Sequence, residues 1–277
     1  MLYQGFSADN LPTKMVTKII FTLATLLTYT NSEYIPPGPV YPCPNDSKTT
    51  LLYPCVCEKG SDTGLYIRCE NTGLAVLSVG LGNIAGLGLP VERLLLKELK
   101  ISNLFGPLFH RSTIRVLQIE DTPIRSIDQY AFAGVNRTLQ ELYMINTEID
   151  VFPKDAFMIL GNLSVLSIDG HKMTKLAKDI FAGSEVVGKL ERLHLSNGLI
   201  SDIPPEAFQV LKKLKKLDLH GNKLVTLKRN QFKGLRDTEL LDLRGMFARN
   251  TVIKVVHLDH NKIKKLDTNS FRGMRFL

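Results

Sequence analysis

The feature that most restricts the fold is a hydrophobic pattern that recurs from Val91 onward. Each unit has an apolar first residue, a second three positions later and a third two positions beyond that. The units begin at Val91, Ile114, Leu139, Leu163, Leu190, Leu214 and Ile253. Successive starts lie 23 to 27 residues apart as far as Leu214. A fixed period of this size indicates a solenoid of stacked coils.

Phenylalanine follows the same phase. The eighteenth residue after each start is Phe109, Phe132, Phe157, Phe181, Phe208, Phe232 or Phe271. The chain has only 13 phenylalanines, so seven in one phase indicate one structural role.

The spacing also predicts where these side chains point. Leu217 and Leu219 alternate with Asp218, which places the leucines inside a short strand and the aspartate outside. Each buried Leu or Phe contributes roughly 1.5–3 kcal/mol, so stacked coils gain a cohesion that one coil lacks. We therefore predict an α/β-type solenoid: a horseshoe with a parallel concave sheet and an irregular or short-helical convex side.

The ninth position of a coil normally holds an asparagine that bonds backbone groups in the turn after the strand. Asn222 and Asn261 fit this position, whereas Thr122, Thr147 and His171 replace asparagine elsewhere. Threonine can also donate and accept a hydrogen bond, so we expect a weaker ladder of the same fold.

The N-terminus has the pattern of a secretory signal. Lys14 and Lys18 precede an apolar run at residues 19–27, which is far below the ~20 residues that a membrane span needs. We expect a signal peptide over residues 1–32, with Met15 as a hypothetical true start, and a linker over residues 33–42. No later stretch predicts a membrane span. The expected location is extracellular, at the cell surface or in the matrix if the full-length protein carries an anchor.

All four cysteines lie within one short segment, at Cys43, Cys55, Cys57 and Cys69. Four cysteines permit three pairings, and Cys55 and Cys57 are too close in sequence to be expected to pair with each other. In an oxidising compartment they predict a local disulfide staple. A zinc site is the alternative, but the usual Cys-x-x-Cys spacing is missing.

These features together resemble the extracellular leucine-rich repeat family. The match to its N-terminal cysteine cap lies in Cys43-Pro44, Cys55-x-Cys57 and Cys69, and the similarity extends to the end of the chain. Within the family the chain is most similar to the animal adhesion and matrix-patterning members, of the chaoptin, slit and artichoke type. The resemblance implies bonds from Cys43 to Cys57 and from Cys55 to Cys69. It also implies a cap with the entry to the repeats over residues 43–90 and repeats over residues 91–277.

One unit departs from the period. It covers residues 238–252, and the next start is Ile253, so about nine residues are missing from a coil that needs at least about 20. We hypothesise a skipped or mispredicted coding segment and expect strained packing from Met246 to Thr251. The chain ends at Leu277 on the first position of a further unit, which suggests a C-terminally truncated sequence.

The sequence does not favour an enzyme. It has no nucleophile elbow, phosphate loop or His-Glu zinc motif, and we expect no cofactor. The net charge of +8 favours anionic partners. Sulfated matrix glycans are candidate partners, although lysines more commonly only improve solubility. The lysines concerned are Lys212, Lys213, Lys215, Lys216, Lys262, Lys264 and Lys265. We expect no nucleic-acid partner.

Outward positions of the concave strands are the candidate binding residues. They are Gln118, Tyr143, Ile145, His194, Asp218, His220, Asp242, His257 and Asp259. Tyr143 and Ile145 predict an exposed apolar spot of the kind that anchors protein interfaces. The histidines and aspartates form a mixed band in which a metal site is conceivable. Solvated polar residues are commoner, so no metal ligand is predicted.

Three sequons predict glycosylation at Asn45, Asn136 and Asn162. Two functions from different classes remain. One is adhesion or recognition of a protein ligand or receptor through the concave face. The alternative is a structural matrix component that binds polysaccharide or associates with itself.

Overall fold

The computed structural model describes residues 38–45, 50–224, 231–232, 235 and 238–244, and the backbone of residues 265–266. The chain divides into two units, residues 1–38 and residues 39–277, and the account below concerns the second. Several predictions lie outside the described residues. These are the signal peptide, half of the linker, Asn261, Phe271, the strain from Met246 to Thr251, the binding residues His257 and Asp259, and the lysines Lys262 and Lys264.

The elements follow one another as short strands with little helix. The strands are β1 (Cys55–Lys59), β2 (Leu65–Glu70), β3 (Val91–Lys97), β4 (Asn103–Leu104), β5 (Ile114–Glu120), β6 (Ser126–Ile127), β7 (Glu141–Ile145), β8 (Val165–Asp169), β9 (Arg192–Ser196), β10 (Lys216–Asp218), β11 (Leu240–Asp242) and β12 (Lys265–Leu266). The helices are α1 (Leu74–Gly86) and α2 (Lys154–Phe157), and 3-10 turns occupy Thr50–Leu52 and Glu185–Gly188. None of the helices in the described part of the chain combines the length and hydrophobicity that a bilayer crossing requires.

One sheet of ten strands organises the repeats, in the order β1-β2-β3-β5-β7-β8-β9-β10-β11-β12. β1 pairs with β2 antiparallel, and all later neighbours are parallel. β4 and β6 form a separate parallel pair. This ladder confirms the predicted fold class, a leucine-rich repeat solenoid, because each parallel crossover is one coil.

The core lies between this sheet and the opposite side of each coil. The inward leucines Leu94, Leu117, Leu142, Leu166, Leu193, Leu217 and Leu241 are adjacent in register and at most 1% exposed. The six in-phase phenylalanines that the structure describes are also buried. Phe132 lies between Phe109 and Phe157, with ring centroids 6.0 Å apart on both sides. The predicted stack of buried leucines and phenylalanines, the hydrophobic spine, is therefore present.

The turns after β3, β5, β7, β8, β9 and β10 have left-handed backbone at one repeat position. The residues are Glu98, Asp121, Asn146, Gly170, Asn197 and Gly221, with φ between 48° and 72°. Glycine reduces the strain of this conformation. It also leaves room for the preceding coil: a Cβ at Gly221 would lie 2.4 Å from Oδ1 of Asn197. The same close approach relates Gly170 to Asn146, at 2.5 Å.

The next position in the turn is the expected asparagine ladder, and its members differ. Asn222 donates from Nδ2 to the carbonyls of Leu195 (2.7 Å) and Leu219 (2.9 Å), and its Oδ1 accepts from the Ile200 amide (3.1 Å). Thr122 Oγ1 accepts from the Leu99 amide at 3.2 Å and donates to the Glu120 carbonyl at 2.8 Å. Thr122 therefore substitutes for asparagine as predicted.

Thr147 and His171 do not substitute in this way. Within the described part of the chain, the hydroxyl of Thr147 and both ring nitrogens of His171 are buried without a hydrogen-bond partner. The following coil has Gly198 at the same position, and a Cβ there would lie only 1.9 Å from Cε1 of His171. The imidazole therefore fills the space that a side chain at position 198 would need.

The cysteine cap opens the ladder. The disulfides Cys43–Cys57 and Cys55–Cys69 are present, as the resemblance implies. β2 pairs in parallel with β3, so the first coil begins at Leu65, inside the cap and one unit before Val91. Helix α1 buries Leu77, Leu81 and Ile84 on its inner side. Sequence reasoning missed this coil because Leu65 lies two residues before Ile67, whereas Val91 lies three before Leu94, and because a cysteine, Cys69, takes the third apolar position.

At the other end of the described ladder, β12 follows β11. The register pairs Leu240 with Lys265 and Leu241 with Leu266. The repeat phase instead predicts a strand near Val256, which lies outside the described residues. The short unit over residues 238–252 stays a prediction.

Candidate binding surface

The concave face carries three rows of outward positions, because outward residues lie before, between and after the two inward residues of each long strand. The first row is Tyr66, Arg93, Val116, Glu141, Val165, Arg192 and Lys216. The second is Arg68, Leu95, Gln118, Tyr143, Ser167, His194, Asp218 and Asp242. The third is Glu70, Lys97, Glu120, Ile145, Asp169 and Ser196, followed in phase by His220 and Arg244.

Sequence reasoning found the second and third rows but missed the first. The repeat has two variable residues between its first and second leucine positions, and the pattern does not show which of them faces outward. The register places the second of these residues in the sheet, as for Arg93 beside Val116. The first row could have been predicted by starting each strand one residue before the second leucine position.

A groove of about 320 Å³ lies across the first and second rows. Its lining residues are Tyr66, Glu92, Arg93, Arg115, Val116, Gln118, Glu141 and Tyr143. Two tyrosines and two arginines in one concave site are the residue types that are enriched at interface hot spots.

Arg115 holds the carboxylates of this groove in place. Its Nε lies 2.7 Å from Oε1 of Glu92, and its Nη1 lies 3.2 Å from Oε1 of Glu141. The hydrogen bond from Arg115 lowers the pKa of Glu92, while burial acts in the opposite direction. The same bond raises the pKa of Arg115. Both groups therefore stay charged at neutral pH, and the pairing fixes their orientation across neighbouring coils.

Tyr143 is held by the same network. Its hydroxyl donates to Oε2 of Glu141 at 2.7 Å, and burial, followed by Glu141, raises its pKa. Tyr143 and Ile145 are half-buried, which corrects the prediction that they form an exposed spot. Parallel neighbours only one strand spacing away shield much of each side chain. The ring of Tyr143 is therefore oriented before any partner binds.

Gln118 is more enclosed than its predicted role requires. It is 8% exposed, accepts a hydrogen bond from Arg93 and donates to Glu120. Arg93 is exposed and belongs to the row that sequence reasoning missed. At this point of the groove, Arg93 is thus more accessible than Gln118.

The predicted histidine and aspartate band also assembles, for the members that the structure describes. Nδ1 of His220 lies 2.6 Å from Oδ1 of Asp218, and Nδ1 of His194 lies 3.5 Å from Oδ2 of the same carboxylate. Asp242 is adjacent to Asp218 in the sheet register. Arg244 binds Asp242 with both Nε and Nη2, and the latter lies 2.7 Å from Oδ2.

Burial and charge act in opposite directions in this band. Burial raises the pKa of Asp242, but the hydrogen bonds and charge of Arg244 outweigh it, so the net pKa is lowered. The pKa of His194 is lowered, first by burial and then by Lys216. Asp242 therefore remains a carboxylate, and His194 favours its neutral form.

The three predicted glycosylation sites differ in their surroundings. Asn45 is exposed, whereas Asn136 and Asn162 are half-buried. The Nδ2 of Asn162 donates to the Arg137 carbonyl, and its Oδ1 accepts from Lys189. Asn162 thus links two neighbouring coils.

Comparisons with known proteins agree with this architecture. A family model described as a leucine rich repeat matches residues 188–245. Podocan-like protein 1 from Homo sapiens is 26% identical over 228 residues, which cover 74% of this chain and 43% of that protein. Tsukushi from Gallus gallus is 25% identical over 245 residues, covering 85% and 59% respectively. Keratocan from Homo sapiens is 26% identical over 264 residues, covering 78% and 72%.

Solved structures show the same fold. The TLR13–ssRNA13 complex aligns with a TM-score of 0.52 at 22% identity, over 72% of this chain and 29% of that one. A complex of Latrophilin 3, Unc5D and FLRT2 aligns with a TM-score of 0.50 at 20% identity, over 76% and 65%. The chain thus spans about half the length of several proteins that it matches.

The parallel ladder, the buried leucine and phenylalanine spine and the concave groove define a solenoid built to bind other molecules. This chain has the leucine-rich repeat fold, opened by an N-terminal cap with two disulfides, and is similar in sequence to leucine-rich repeat proteins with the names given above. Its relatives are extracellular binding or receptor proteins and not enzymes, which confirms the expectation that this chain is not an enzyme.

Proposed function

We propose that this protein is a secreted or cell-surface binding and adhesion protein that recognises an extracellular protein ligand through its concave face. The observation that carries the proposal is the groove around Tyr143. It combines an oriented tyrosine with an exposed arginine, Arg93, on a surface that ordinary packing leaves open. The extracellular relatives and the two disulfides support the location.

The network at Arg115 explains why the groove suits a protein. Association costs the ordering of flexible side chains, about 0.5–1.5 kcal/mol for each one that becomes fixed. The hydrogen bond from Tyr143 to Glu141 and the ion pairs of Arg115 restrict these side chains in the free protein. A partner therefore meets a surface that is already arranged.

The chemistry of the groove also suggests what the partner presents. Glu92 and Glu141 are paired with Arg115, whereas Arg93 contacts the neutral Gln118. Arg93 and Arg192 are both exposed and both lower the pKa of Tyr143 through their charge, so both act on the same ring. An acidic segment with an apolar side chain for Tyr143 fits this arrangement.

The test compares two tyrosines on different surfaces. The secreted protein is applied to cells or matrix, and its retention is measured for wild type, Tyr143→Ala and Tyr130→Ala. Tyr130 is 59% exposed and lies outside the strands, so it serves as the matched control. Tyr143→Ala is expected to weaken binding at least about tenfold, the scale of a hot spot, and Tyr130→Ala to leave it unchanged. Equal retention of all three proteins would contradict the proposal, provided that their melting temperatures agree.

A second candidate is a structural matrix component that binds polysaccharide or associates with itself. Lys212 and Lys213 are exposed and favour it, but Lys215 pairs with Glu191 and Lys216 with Asp218. Two of the four lysines between Lys212 and Lys216 thus already face a carboxylate of the protein, so we rank the glycan interaction second. Retention on heparin at physiological salt that is lost in a Lys212→Ala/Lys213→Ala variant would favour it over the concave face.

We also propose glycans at Asn45, Asn136 and Asn162. Asn136 and Asn162 lie shortly before β7 and β8, so glycans there would exclude partners from that flank and leave the concave face open. A mass decrease on glycosidase treatment is expected from the secreted protein. An unchanged mass would show that these asparagines carry no glycan.

A further inference from the structure

We propose that His194, Asp218, His220 and Asp242 form a binding site for a divalent transition-metal ion of the Zn²⁺ type at the C-terminal part of the described concave face. The juxtaposition comes from stacking. His194, Asp218 and Asp242 are direct neighbours on β9, β10 and β11, and His220 lies two residues beyond Asp218. The site is independent of the protein ligand that we assign to the concave face.

The geometry brings the donor atoms close to a common point. One donor atom from each of Asp218, His220 and Asp242 lies within 4.8 Å of the others. Nδ1 of His194 approaches Asp218 from the preceding coil at 3.5 Å. Zinc forms bonds of about 2.0–2.2 Å to imidazole nitrogen and carboxylate oxygen, so Asp218, His220 and Asp242 form the core of the site. His194 completes it by turning toward the ion from the preceding coil.

The two carboxylates are unusual for an open surface. Asp218 is 5% exposed and Asp242 is 2% exposed, although both occupy outward positions. Like charges directly opposite each other on neighbouring strands repel. The backbone amides of His220 and Arg244 donate to Asp218 and Asp242 at 3.1 Å and 3.0 Å and hold them in place despite the repulsion. A shared cation would remove the repulsion.

The donor set selects the kind of cation. Calcium and magnesium prefer all-oxygen sites, whereas two imidazoles with carboxylates suit zinc and related transition metals. The cysteines do not compete for the ion, because all four are in disulfides.

Two cationic side chains of the protein compete with the metal ion for the carboxylates. Nζ of Lys216 lies 3.9 Å from Asp218, and Arg244 forms a two-nitrogen contact with Asp242. Arg244 must give up part of this contact when Asp242 turns toward the ion. Its removal is therefore expected to strengthen metal binding, which a merely structural role of the cluster does not predict.

The test is a calorimetric titration of the whole, untagged secreted protein with Zn²⁺ alone in metal-free buffer, without any protein ligand. We expect one saturable site in wild type, at least about tenfold weaker binding in His220→Gln, and tighter binding in Arg244→Gln. His110→Gln is the matched control, because His110 is an exposed histidine outside the strands. It is expected to bind as wild type does.

A thermal measurement supplies the second readout. Zn²⁺ is expected to raise the melting temperature of wild type and of His110→Gln, but not that of His220→Gln. The proposal is overturned if wild type shows no saturable binding, or if His220→Gln combined with Asp218→Asn still binds zinc as wild type does. Because no protein ligand takes part, such a failure leaves the function proposed for the groove untouched.

Discussion

The turns after β8 and β10 occupy the same position in the repeat but solve its polar requirements differently. Asn222, after β10, makes three close hydrogen bonds that connect its own turn to the preceding coil. His171, after β8, fills the equivalent space with an imidazole that has no hydrogen-bond partner in the described structure. At this position the repeat therefore requires a side chain that fills the space, and tolerates the loss of its hydrogen bonds.

The difference has an energetic consequence. A buried polar group without a partner loses its hydration and gains nothing in return, at a cost of about 1–3 kcal/mol. Gly198 allows the imidazole to fit, so the turn after β8 is well packed, but the two ring nitrogens lie where the described structure offers no hydrogen-bond partner. The turn after β10 should therefore contribute more to stability than the turn after β8.

The largest effect is expected from Asn222→Ala. This change leaves the Leu195 and Leu219 carbonyls and the Ile200 amide without their buried partner, so we expect a loss of about 3–5 kcal/mol in the free energy of unfolding. Denaturation by urea, followed by circular dichroism, measures it. Asn103→Ala is the control, because in the described structure the side chain of Asn103 bonds the hydroxyls of Ser102 and Ser126 and no buried backbone group. If both variants lost the same free energy of unfolding, the special contribution of Asn222 to its turn would be contradicted.

The next effect is the pH dependence of stability that His171 contributes. Burial lowers the pKa of His171 to about 4, and the opposing effects of the Leu195 backbone and of the charge on Asp169 are smaller. The unfolded chain, with a pKa near 6.5, binds the proton more readily, so stability falls as the pH decreases from about 6.5 to about 4. The expected loss in this window is about 3 kcal/mol.

His171→Leu serves as the comparison, because leucine has no titrating group. Urea denaturation across pH 4 to 7 should show a loss in wild type that exceeds the loss in His171→Leu by about 3 kcal/mol. Parallel pH profiles for the two proteins would mean that His171 remains accessible to protons in the folded state.

A smaller effect is expected where the imidazole meets the next coil. Gly198→Ala places a methyl group 1.9 Å from Cε1 of His171, and overpacking of this kind costs typically 1–3 kcal/mol. In a His171→Ala background the same change should be nearly neutral, because the space is then free. A double-mutant cycle of unfolding free energies measures the coupling. Additive effects would show that the ring does not occupy the position of the missing side chain.

The smallest effect separates the two threonines of the ladder. Thr122→Val removes the partner of the Leu99 amide, so a loss of about 1–2 kcal/mol is expected. Thr147→Val removes a buried hydroxyl without a partner and should be neutral or slightly stabilising. Melting temperatures of the two variants test the difference. The reverse order would require Thr147, and not Thr122, to hold its turn together.

Much of the fold could be read from the sequence because apolar side chains recur in register. Leu217 and Leu219 were expected inside and Asp218 outside, and the strands have this arrangement. The cap coil was missed, because Cys69 takes an inward position that later coils give to leucine, isoleucine or methionine. The apolar repeat pattern does not identify a coil in which a disulfide-bonded cysteine replaces an apolar repeat residue.

Less of the candidate site could be read in this way. Gln118, Tyr143 and Ile145 were placed on the correct face, but the structure shields all three more than their alternation suggests. Arg93, which covers Gln118, comes from the preceding coil, 25 residues earlier in sequence. Exposure of a concave residue depends on its neighbours in the sheet, and these neighbours are remote in the chain.

The sequence by itself determined the period, the inward residues and the class of protein, because burial of leucine and phenylalanine depends on spacing along the chain. Only the tertiary structure decided which side chains from different coils meet: His171 with Gly198, Arg115 with Glu92 and Glu141, and His194 with Asp218. Stacking turns a separation of a whole coil into a few ångströms. Contacts across the stack therefore depend on register and rotamers, which no single repeat specifies.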